Sequence, residues 1–234
     1  MQAVILAGGL ATRLGERTRL LPKALLPIAG RPFLAWQLEA LAHSGFTSVA
    51  LCIGHLGSQI QEFLGDGAAF GVTVAYSEDG PTLLGTGGAL RQALPLLTDS
   101  FLVTYGDSYL PFDYSAPLRD LRAHPEALAT MSVFENGGAW DKSNTEVQGD
   151  QVLRYEKRGA DAGLRYIDYG AIALRRSLLA ERPAGIAFGL DQVQAELARA
   201  GSLRAITATE RFYEIGSEQG IRDLEAKLAS GAAC

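Results

Sequence analysis

The chain is poor in cysteine and has no long apolar run. Its 234 residues include two cysteines, Cys52 and Cys234, too few for a disulfide framework. Apolar residues come in short blocks between glycine, proline and charged residues, and none approaches the ~20 residues of a membrane-spanning helix. The first segment, Met1–Leu6, lacks the basic start and the cleavage site of a secretory signal. These absences predict a cytoplasmic protein that does not enter a membrane.

Positive charge is not in excess either. The chain has 21 Lys and Arg against 26 Asp and Glu, a formal net charge of -5, and shows no basic stripe of the kind that nucleic-acid binders carry. An acidic protein can still gather a few cations around a bound phosphate. The charge balance therefore argues against DNA and RNA as partners but leaves nucleotides open. Internal repeats are also missing, and the lack of hexapeptide repeats excludes a C-terminal β-helix.

The first half of the chain alternates between two patterns. Nearly half of all residues (47%) are apolar, enough to bury a sizeable core. The predicted strands are Gln2–Leu6, Ser48–Ile53, Val72–Tyr76 and Phe101–Thr104, and the predicted helices are Phe33–His43, Gly57–Leu64 and Gly87–Leu94. This alternation predicts parallel βαβ units with helices on both faces of a sheet. Ligands of such sheets bind beyond the carboxyl ends of the strands, so the segments after Leu6 and Thr104 belong to the candidate site.

The second half has more strands and fewer helices. The predicted strands are Ala129–Glu135, Asn144–Val147, Val152–Glu156, Tyr166–Leu174 and Leu203–Thr207, and the predicted helices are Leu190–Arg199 and Ile221–Leu228. No linker rich in Pro, Gly or Ser separates the halves. We therefore predict a single α/β domain over residues 1–234. It would contain a Rossmann-like mixed, mostly parallel sheet flanked by helices, with a smaller mixed-sheet part in the C-terminal half.

A glycine-rich turn follows the first predicted strand. Paired glycines, Gly8 and Gly9, let the backbone approach a ligand closely, and free amides in such a loop can cradle a phosphate. Arg13 and Lys23 supply fixed positive charge for phosphate oxygens. Neither the P-loop pattern G-x-x-x-x-G-K-[ST] nor the pattern G-x-G-x-x-G is present. No motif therefore supports the interpretation as a kinase or as an NAD-dependent oxidoreductase. Taken alone, a Gly-Gly turn after a strand also fits a plain tight βα turn.

A longer stretch around this turn is more specific. It runs from Leu6 to Leu14, continues through Leu21–Pro27 and ends with Gly30-Arg31-Pro32. In order and spacing it closely resembles the signature of the sugar-phosphate nucleotidyltransferases, a family that includes glucose-1-phosphate thymidylyltransferases and mannose-1-phosphate guanylyltransferases. The chain departs from that signature at Ala11, where the family usually has Gly, and at Glu16-Arg17-Thr18, where it has Pro-Leu-Thr.

The resemblance extends over nearly the whole chain and implies a role for four further segments. Leu84–Leu90 resembles the loop that contacts the base, and Tyr105–Ser108 resembles the metal-binding turn. Tyr155–Lys157 resembles the clamp for the sugar phosphate, and Phe212–Ser217 the second metal position. The implied reaction joins a nucleoside triphosphate to a sugar 1-phosphate and releases pyrophosphate, with Mg²⁺ as the cofactor.

The resemblance also implies roles for single residues. The catalytic residues would be Arg13, Lys23 and Asp107. The nucleotide-binding residues, in a half that spans 1–110, would be Leu6, Ala7, Gly8, Gly9, Thr12, Arg13, Gly85, Thr86, Gly87 and Gly88. The sugar-phosphate-binding residues, in a half that spans 111–234, would be Asn144, Glu156, Lys157, Asp168 and Gly170. The metal ligands would be Asp107 and Glu214.

Charge explains why such residues suit this reaction. An oxygen of the sugar phosphate attacks the α-phosphorus of the nucleotide, so two anions must meet. Mg²⁺ held by one or two carboxylates offsets that repulsion, while Arg13 and Lys23 align the phosphates. Asp107 directly follows a predicted strand, where a carboxylate faces the ligand crevice. Glu214 is one methylene longer than the Asp that is usual in the family, and would reach the metal directly or through water.

The choice of base and sugar rests on fewer residues. Leu84–Leu90 resembles the loop of guanylyltransferases more than that of thymidylyltransferases, so we expect GTP with a mannose- or heptose-type 1-phosphate. Uridylyl-, cytidylyl- and thymidylyltransferases remain alternatives. A non-catalytic, nucleotide-sugar-binding regulatory subunit is the alternative of another class, but such a copy would have lost part of the catalytic set, which is complete here. Many members of the family self-associate, so a homo-oligomer is one expectation. The pathway stays open between cell-surface polysaccharide synthesis (capsule or lipopolysaccharide) and cell-wall recycling.

Overall fold

The computed structural model describes residues 1–9, 12–80, 82–157 and 163–230, without the side chains of Thr12 and Arg13. The strands within these residues are β1 (Gln2–Leu6), β2 (Pro27–Ile28), β3 (Arg31–Pro32), β4 (Ser48–Ile53), β5 (Thr73–Glu78), β6 (Ser100–Tyr105), β7 (Ser108–Tyr109), β8 (Ala129–Glu135), β9 (Thr145–Gln148), β10 (Gln151–Tyr155), β11 (Tyr166–Arg175), β12 (Leu203–Ala208) and β13 (Tyr213–Glu214). The helices are α1 (Phe33–His43), α2 (Gly57–Leu64), α3 (Gly85–Gln92), α4 (Ala116–Ala123), α5 (Ser177–Ala180), α6 (Leu190–Arg199) and α7 (Glu218–Ala229).

One mixed sheet of nine strands runs through the described parts of both halves, in the order β5-β4-β1-β6-β11-β8-β12-β10-β9. The first four strands are parallel to one another. From β6 onward neighbouring strands are antiparallel, apart from the parallel pair of β8 and β12. The prediction of a mostly parallel sheet therefore holds for the first half of the chain only. The strands of the second half extend this sheet, whereas a separate, smaller part was predicted.

The central strands are apolar on both faces because helices cover both. Along β1, Ala3 and Ile5 belong to one core cluster and Val4 to the other, as the two-residue period of a strand requires. Helices α1, α2 and α4 contribute to the first cluster, and α3, α5 and α6 to the second. This coverage leaves the loops at the strand ends as the place where a ligand can approach. None of the described helices is long and apolar enough to cross a membrane.

A third cluster joins the end of the chain to its middle. Ile221 and Leu224 of α7 are buried in it together with Tyr109 of β7. Strand β7 pairs with β13 in a short antiparallel ribbon, in which Glu214 lies opposite Ser108. The packing of α7 thereby carries β13 to the segment that follows β6, at the edge of the sheet where ligands are expected.

Most predicted elements exist, and six of them have the predicted bounds: β1, β4, β8, α1, α2 and α6. Helix α7 starts three residues earlier than predicted, because the Ser217 hydroxyl accepts a hydrogen bond from the Gly220 amide at 3.0 Å and caps the helix. Helix α4 was not predicted. It has Pro117 in its first turn and buries Leu118 and Leu121, a spacing too short to stand out in the sequence.

Candidate active site

A cleft of about 320 Å³ lies at the carboxyl ends of the parallel strands β5, β4, β1 and β6. Its lining residues are Leu6, Ala7, Gly8, Gly9, Lys23, Ala24, Cys52, Asp79, Leu83, Gly85, Thr86, Ala89, Tyr105, Gly106 and Asp107. The predicted nucleotide loop and the predicted metal turn therefore share one cleft. Asp79 follows β5 and Asp107 follows β6, three strand intervals apart. At about 4.8 Å per interval the cleft is about 14 Å wide, which suits an extended ligand.

The floor of the cleft is made of backbone in close contact. A Cβ added to Gly54 would lie 2.9 Å from the Gly8 carbonyl oxygen, and one added to Gly106 would lie 3.1 Å from the Leu6 carbonyl oxygen. The Gly106 amide donates to that same Leu6 oxygen at 2.9 Å. Glycine is therefore required at these positions because the loops that follow β1, β4 and β6 touch one another.

The first predicted catalytic pair is in direct contact. The Lys23 ammonium lies 2.6 Å from Oδ2 of Asp107, and both side chains are largely shielded from solvent, with 18% and 35% of their surface exposed. Lys23 opens a 3₁₀ turn after Pro22, and Asp107 follows β6. The side chain of Arg13, the third predicted catalytic residue, lies outside the described part of the structure, as does that of Thr12.

A buried glutamine fixes the turn that carries Asp107. Gln37 of α1 is fully buried, and its amide nitrogen donates to the Tyr105 carbonyl at 2.7 Å and to the Ser108 carbonyl at 2.8 Å. It thus holds the backbone on both sides of Gly106 and Asp107. The sequence analysis missed this residue because a polar position on an apolar helix face gives no sign of its partners.

The second predicted metal ligand is brought close to the first by strand pairing. Glu214 lies opposite Ser108 in the ribbon of β7 and β13, and the Ile215 amide donates to the Asp107 carbonyl at 3.0 Å. Among the described residues no group of three or more His, Cys, Asp or Glu side chains could hold a metal. Two carboxylates from adjacent strands fit Mg²⁺, which keeps several waters and also binds phosphate oxygens.

Negative charge is concentrated around Tyr105. Burial raises the pKa of the Tyr105 hydroxyl well above its ordinary value, and the nearby carboxylates of Asp168, Asp107, Asp191 and Glu214 raise it further. Tyr105 therefore stays protonated and neutral. Such a collection of acids lowers the local potential and favours a bound cation.

The far end of the cleft contains an acid that the sequence analysis did not single out. Asp79 has 6% of its surface exposed, and its Oδ1 has no hydrogen-bond partner among the described residues. Burial raises the pKa of its carboxyl group. A Cβ on Gly8 would lie 2.7 Å from its Oδ2. The only sequence signal was an Asp-Gly pair directly after a strand, which is common in ordinary turns.

Next to Asp79, a cysteine also lines the cleft. The Cys52 side chain is buried. Its thiol donates a hydrogen bond to the Ala89 carbonyl oxygen at 3.8 Å. Burial, with a smaller effect of the Asp79 carboxylate, raises the pKa of the thiol to about 12. Cys52 is therefore a packing residue of the cleft wall and is not ionised as a nucleophile would be.

Only part of the predicted base loop lines the cleft. Gly85 and Thr86 line the cleft, whereas Gly87 and Gly88 do not. The amides of Gly87 and Gly88 both donate to the Phe188 carbonyl, at 3.0 and 3.2 Å. A Cβ on Gly87 would lie 2.3 Å from the Phe188 ring. The structure thus shows Gly87 and Gly88 packed against the segment before α6, and the nucleotide contact that the resemblance implied stays a prediction.

The predicted sugar residues lie on β11, directly before β9 and directly after β10, around Asp168. Its Oδ2 accepts from the Gln194 amide at 2.8 Å and from the Tyr155 hydroxyl at 3.2 Å, and its Oδ1 accepts from the Gly170 amide at 3.0 Å. Burial raises the pKa of Asp168, and these hydrogen bonds act in the opposite direction. The Asp168 carboxylate therefore accepts hydrogen bonds from the protein itself, and these bonds hold the residues around it in position.

The other sugar residues are linked to this network. The Asn144 side-chain oxygen accepts from the Asp168 amide at 2.8 Å, and its carbonyl accepts from the Glu156 amide at the same distance. Lys157 follows Glu156 and lies 3.1 Å from Oδ1 of Asp191. The structure thus brings together all five residues of the predicted sugar-phosphate set.

Trp140, the aromatic residue before this strand pair, stacks on a cation. Its ring lies 3.9 Å from the guanidinium carbon of Arg211, which also lies 4.5 Å from the centre of the Tyr213 ring. Asp141, the next residue, lines a second pocket with Glu214. The loop that contains Trp140 is thereby attached beside the second predicted metal ligand.

The sequence is similar to those of known nucleotidyltransferases. Residues 3–210 match the family of MobA-like NTP transferase domains. Over 172 residues the chain is 37% identical to N-acetylmuramate α-1-phosphate uridylyltransferase of Neisseria meningitidis, a match covering 73% of this chain and 74% of that protein. Over 159 residues it is 33% identical to D-glycero-α-D-manno-heptose 1-phosphate guanylyltransferase of Campylobacter jejuni, covering 68% and 69%.

The fold is also found among solved structures. The crystal structure of HddC from Yersinia pseudotuberculosis, complexed with GMP-PN, superimposes on this chain with a TM-score of 0.79. The match covers 97% of this chain and 99% of that one at 22% identity. At this identity the likeness shows a shared fold.

Proposed function

The chain belongs to the family of MobA-like NTP transferase domains, and from this premise we propose that it joins a nucleoside triphosphate to a sugar 1-phosphate and releases pyrophosphate. The relatives from Neisseria and Campylobacter are both named as nucleotidyltransferases of a sugar 1-phosphate. The observation that carries the proposal is the contact of Lys23 with Asp107 in a cleft that also contains the glycine loop after β1.

We propose that the two halves divide the substrates between them. The half formed by residues 1–110 binds the nucleotide along the ends of β5, β4, β1 and β6. The half formed by residues 111–234 binds the sugar phosphate, with Lys157 as its cation and the network around Asp168 as its support. Asp107 follows β6, the strand at the junction of the parallel and antiparallel parts of the sheet, so the reacting groups meet there.

The reaction is an in-line displacement. A phosphate oxygen of the sugar substrate forms a bond to the α-phosphorus, and the bond between this phosphorus and the bridging oxygen breaks to release pyrophosphate. Asp107 and Glu214 would hold Mg²⁺, which supplies positive charge for the phosphate oxygens. Lys23, now paired with Asp107, lies within reach of the same oxygens and stabilises their charge. The backbone of the Gly8–Gly9 loop orients the nucleotide.

Asp79 gives a physical basis for the choice of base. A buried carboxylate with an unpartnered oxygen needs a donor. Guanine, uracil and thymine each have a ring N–H on their pairing edge, whereas cytosine and adenine have an acceptor nitrogen there. A charged Asp79 at the base end of the cleft accepts from this ring N–H. Beside cytosine or adenine it can accept from the exocyclic amino group only, with the acceptor ring nitrogen next to the carboxylate, so we propose that it favours the first group.

Two substrate pairs satisfy this requirement. GTP with a mannose- or heptose-type 1-phosphate is the pair predicted from the sequence, and the Campylobacter guanylyltransferase supports it. UTP with N-acetylmuramate 1-phosphate is the second pair, supported by the higher identity of the Neisseria relative. Both relatives use a nucleotide whose base has a ring N–H, in agreement with the proposed role of Asp79.

The test is a pyrophosphate-release screen with Mg²⁺. ATP, CTP, GTP, UTP and dTTP are each combined with mannose, heptose, glucose and N-acetylmuramate 1-phosphates, and the sugar nucleotide is identified by mass spectrometry. We expect release with GTP or UTP and none with ATP or CTP. Release with CTP as the preferred nucleotide would contradict the role of Asp79, and no release with any pair would contradict the proposed reaction.

A further inference from the structure

Asp191 lies beside the proposed sugar-phosphate site but has no role in the reaction so far. It is the second residue of α6, and its Oδ1 accepts from the Lys157 ammonium at 3.1 Å. Its carboxylate folds back over Gly189, where a Cβ would lie 2.0 Å from the same oxygen. The position directly before α6 therefore has to be glycine if the carboxylate is to reach Lys157 in this way.

The two members of this ion pair differ in their freedom to move. Asp191 has 26% of its side chain exposed, whereas Lys157 has 60% exposed and is carried by a flexible four-carbon stem. The start of α6 is anchored, because the Leu190 amide donates to the Thr86 hydroxyl at 2.8 Å. When the pair separates, the lysine moves and the carboxylate stays.

The helix also stabilises the carboxylate after the lysine has left. An acidic side chain in the first turn of a helix lies in the positive field of the helix N-terminus, and α6 is ten residues long. Asp191 thus stays in place without Lys157. A carboxylate and a phosphate offer the same kind of oxygen to an ammonium group, so each can replace the other as its partner.

We propose that Asp191 is a positioning residue that stands in for the phosphate of the sugar substrate and holds Lys157 at the site until that phosphate displaces it. This inference rests on the proposed function, which makes Lys157 the cation of the sugar phosphate. The exposed ion pair is weak, and a phosphate dianion carries more charge than one carboxylate. The exchange therefore favours the substrate, while small anions of lower charge are kept away from the lysine.

The proposal requires that Asp191 competes with phosphate. Asp191→Asn releases the ammonium and removes a nearby negative charge, so phosphate should bind about fivefold more tightly, about 1 kcal/mol. The freed lysine is less well ordered for the reaction, so kcat for the accepted substrate pair should fall while the KM for the sugar 1-phosphate also falls. A purely structural role would not produce this opposite effect on affinity and turnover.

The experiment follows inorganic phosphate as the probe, by NMR titration of backbone amide shifts, which measures millimolar affinities. Wild type, Asp191→Asn and the control Glu196→Gln are compared; Glu196 is an exposed acid on the same helix that pairs with Arg182. We expect the fivefold gain in Asp191→Asn only. In a Lys157→Met background the gain should shrink below twofold, because the residue for which Asp191 competes is gone.

A second variant keeps the charge and changes the geometry. Gly189→Ala places a methyl group where the Asp191 carboxylate now lies, and it should raise the affinity for phosphate in the same direction by a smaller factor. Unchanged or weaker binding in both variants, an undiminished gain without Lys157, or no detectable phosphate binding would overturn the proposal. The pyrophosphate screen of the wild type is read separately, so its failure would reject the proposed reaction and leave the titration to decide on Asp191.

Discussion

The proposed nucleotide side and the proposed sugar side of the candidate site are built in different ways. On the nucleotide side, backbone touches backbone at Gly54 and Gly106, where an added Cβ would lie about 3 Å from a carbonyl oxygen. On the sugar side, side chains make the contacts, with Asp168 accepting from Tyr155 and Gln194. A surface made of backbone is sensitive to any added atom, whereas one made of polar side chains is sensitive to changes in charge and hydrogen bonding.

The largest effect on turnover is expected at Asp107, where the two proposed sides meet. A substitution there should not be specific to one side. Asp107→Ala removes a proposed metal ligand and the partner of Lys23, so turnover should fall by about 10²- to 10³-fold with both substrates saturating. Asp99→Ala, an exposed acid at the other end of β6, is the matched control. Near-normal kcat for Asp107→Ala in Mg²⁺ would remove this residue from the mechanism.

A change of charge should affect the sugar side alone. Lys157→Ala removes the proposed cation of the sugar phosphate, and the loss of a hydrogen bond to a charged group, about 1.5–3 kcal/mol, should raise the KM for the sugar 1-phosphate by about 10- to 100-fold. The KM for the nucleotide should change less than about twofold, since the two substrates bind different halves. Steady-state kinetics with each substrate varied in turn measures this difference, and equal effects on both KM values would reject the clamp role.

A larger side chain in the predicted base loop should affect the KM for the nucleotide alone. Gly88→Ala would place a Cβ 2.9 Å from the Ile186 carbonyl, pushing the loop at Gly85 and Thr86 out of register at a cost of about 1–3 kcal/mol in stability. We expect the KM for the nucleotide to rise about tenfold, with little change for the sugar 1-phosphate. Gly163→Ala, with no atom within 4 Å of the added Cβ, is the control. An equal rise for both substrates would show that the two sides are not separable by shape.

The smallest effect on turnover, but a distinct one, is expected from Asp79→Asn. Because the amide has one acceptor and one donor, it can pair both with a ring N–H and with an acceptor ring nitrogen. The preference for GTP or UTP over CTP should therefore fall about tenfold. An unchanged preference in the nucleotide panel would remove Asp79 from base recognition.

The same variant should be more stable than the wild type at neutral pH. Burial raises the Asp79 pKa above its value in the unfolded chain, so the charged carboxylate lowers folding stability, increasingly as the pH rises through the folded pKa. Asp79→Asn removes this cost, and its melting temperature should exceed that of the wild type by about 2–4 °C at neutral pH. The difference should shrink as the pH falls and the wild-type carboxyl binds its proton. Thermal melts at several pH values decide this, and a constant difference would contradict it.

The sequence predicted elements well where periodicity and a local cap agree. Helix α6 was predicted with its observed bounds, since its apolar spacing is clear and it follows a glycine. Helix α4 was missed because Pro117 lies in its first turn, and in a sequence proline more often indicates a turn or a loop. The mixed character of the sheet was underestimated, because strand direction depends on how loops return the chain, which composition does not show.

The candidate site likewise contains residues that a local motif predicts and residues whose role depends on partners far along the chain. Lys23 and Asp107 were each predicted from a short local motif, and they lie together. Asp79 and Asp191 were not predicted, because their significance comes from burial and from partners far along the chain. The amide hydrogen bonds of Gly87 and Gly88 to the Phe188 carbonyl were not predicted for the same reason.

The side-chain amide of Gln37 connects the turn of Asp107 to a helix that does not line the cleft. It ties the two carbonyls that flank the turn of Asp107 to helix α1, which packs on one face of the sheet and touches no proposed substrate. The turn is thus already in its final shape before any ligand binds, and the ordering entropy is not lost at the moment of catalysis. Substitutions on the hidden side of α1 should consequently be felt in metal affinity, although no residue there faces the cleft.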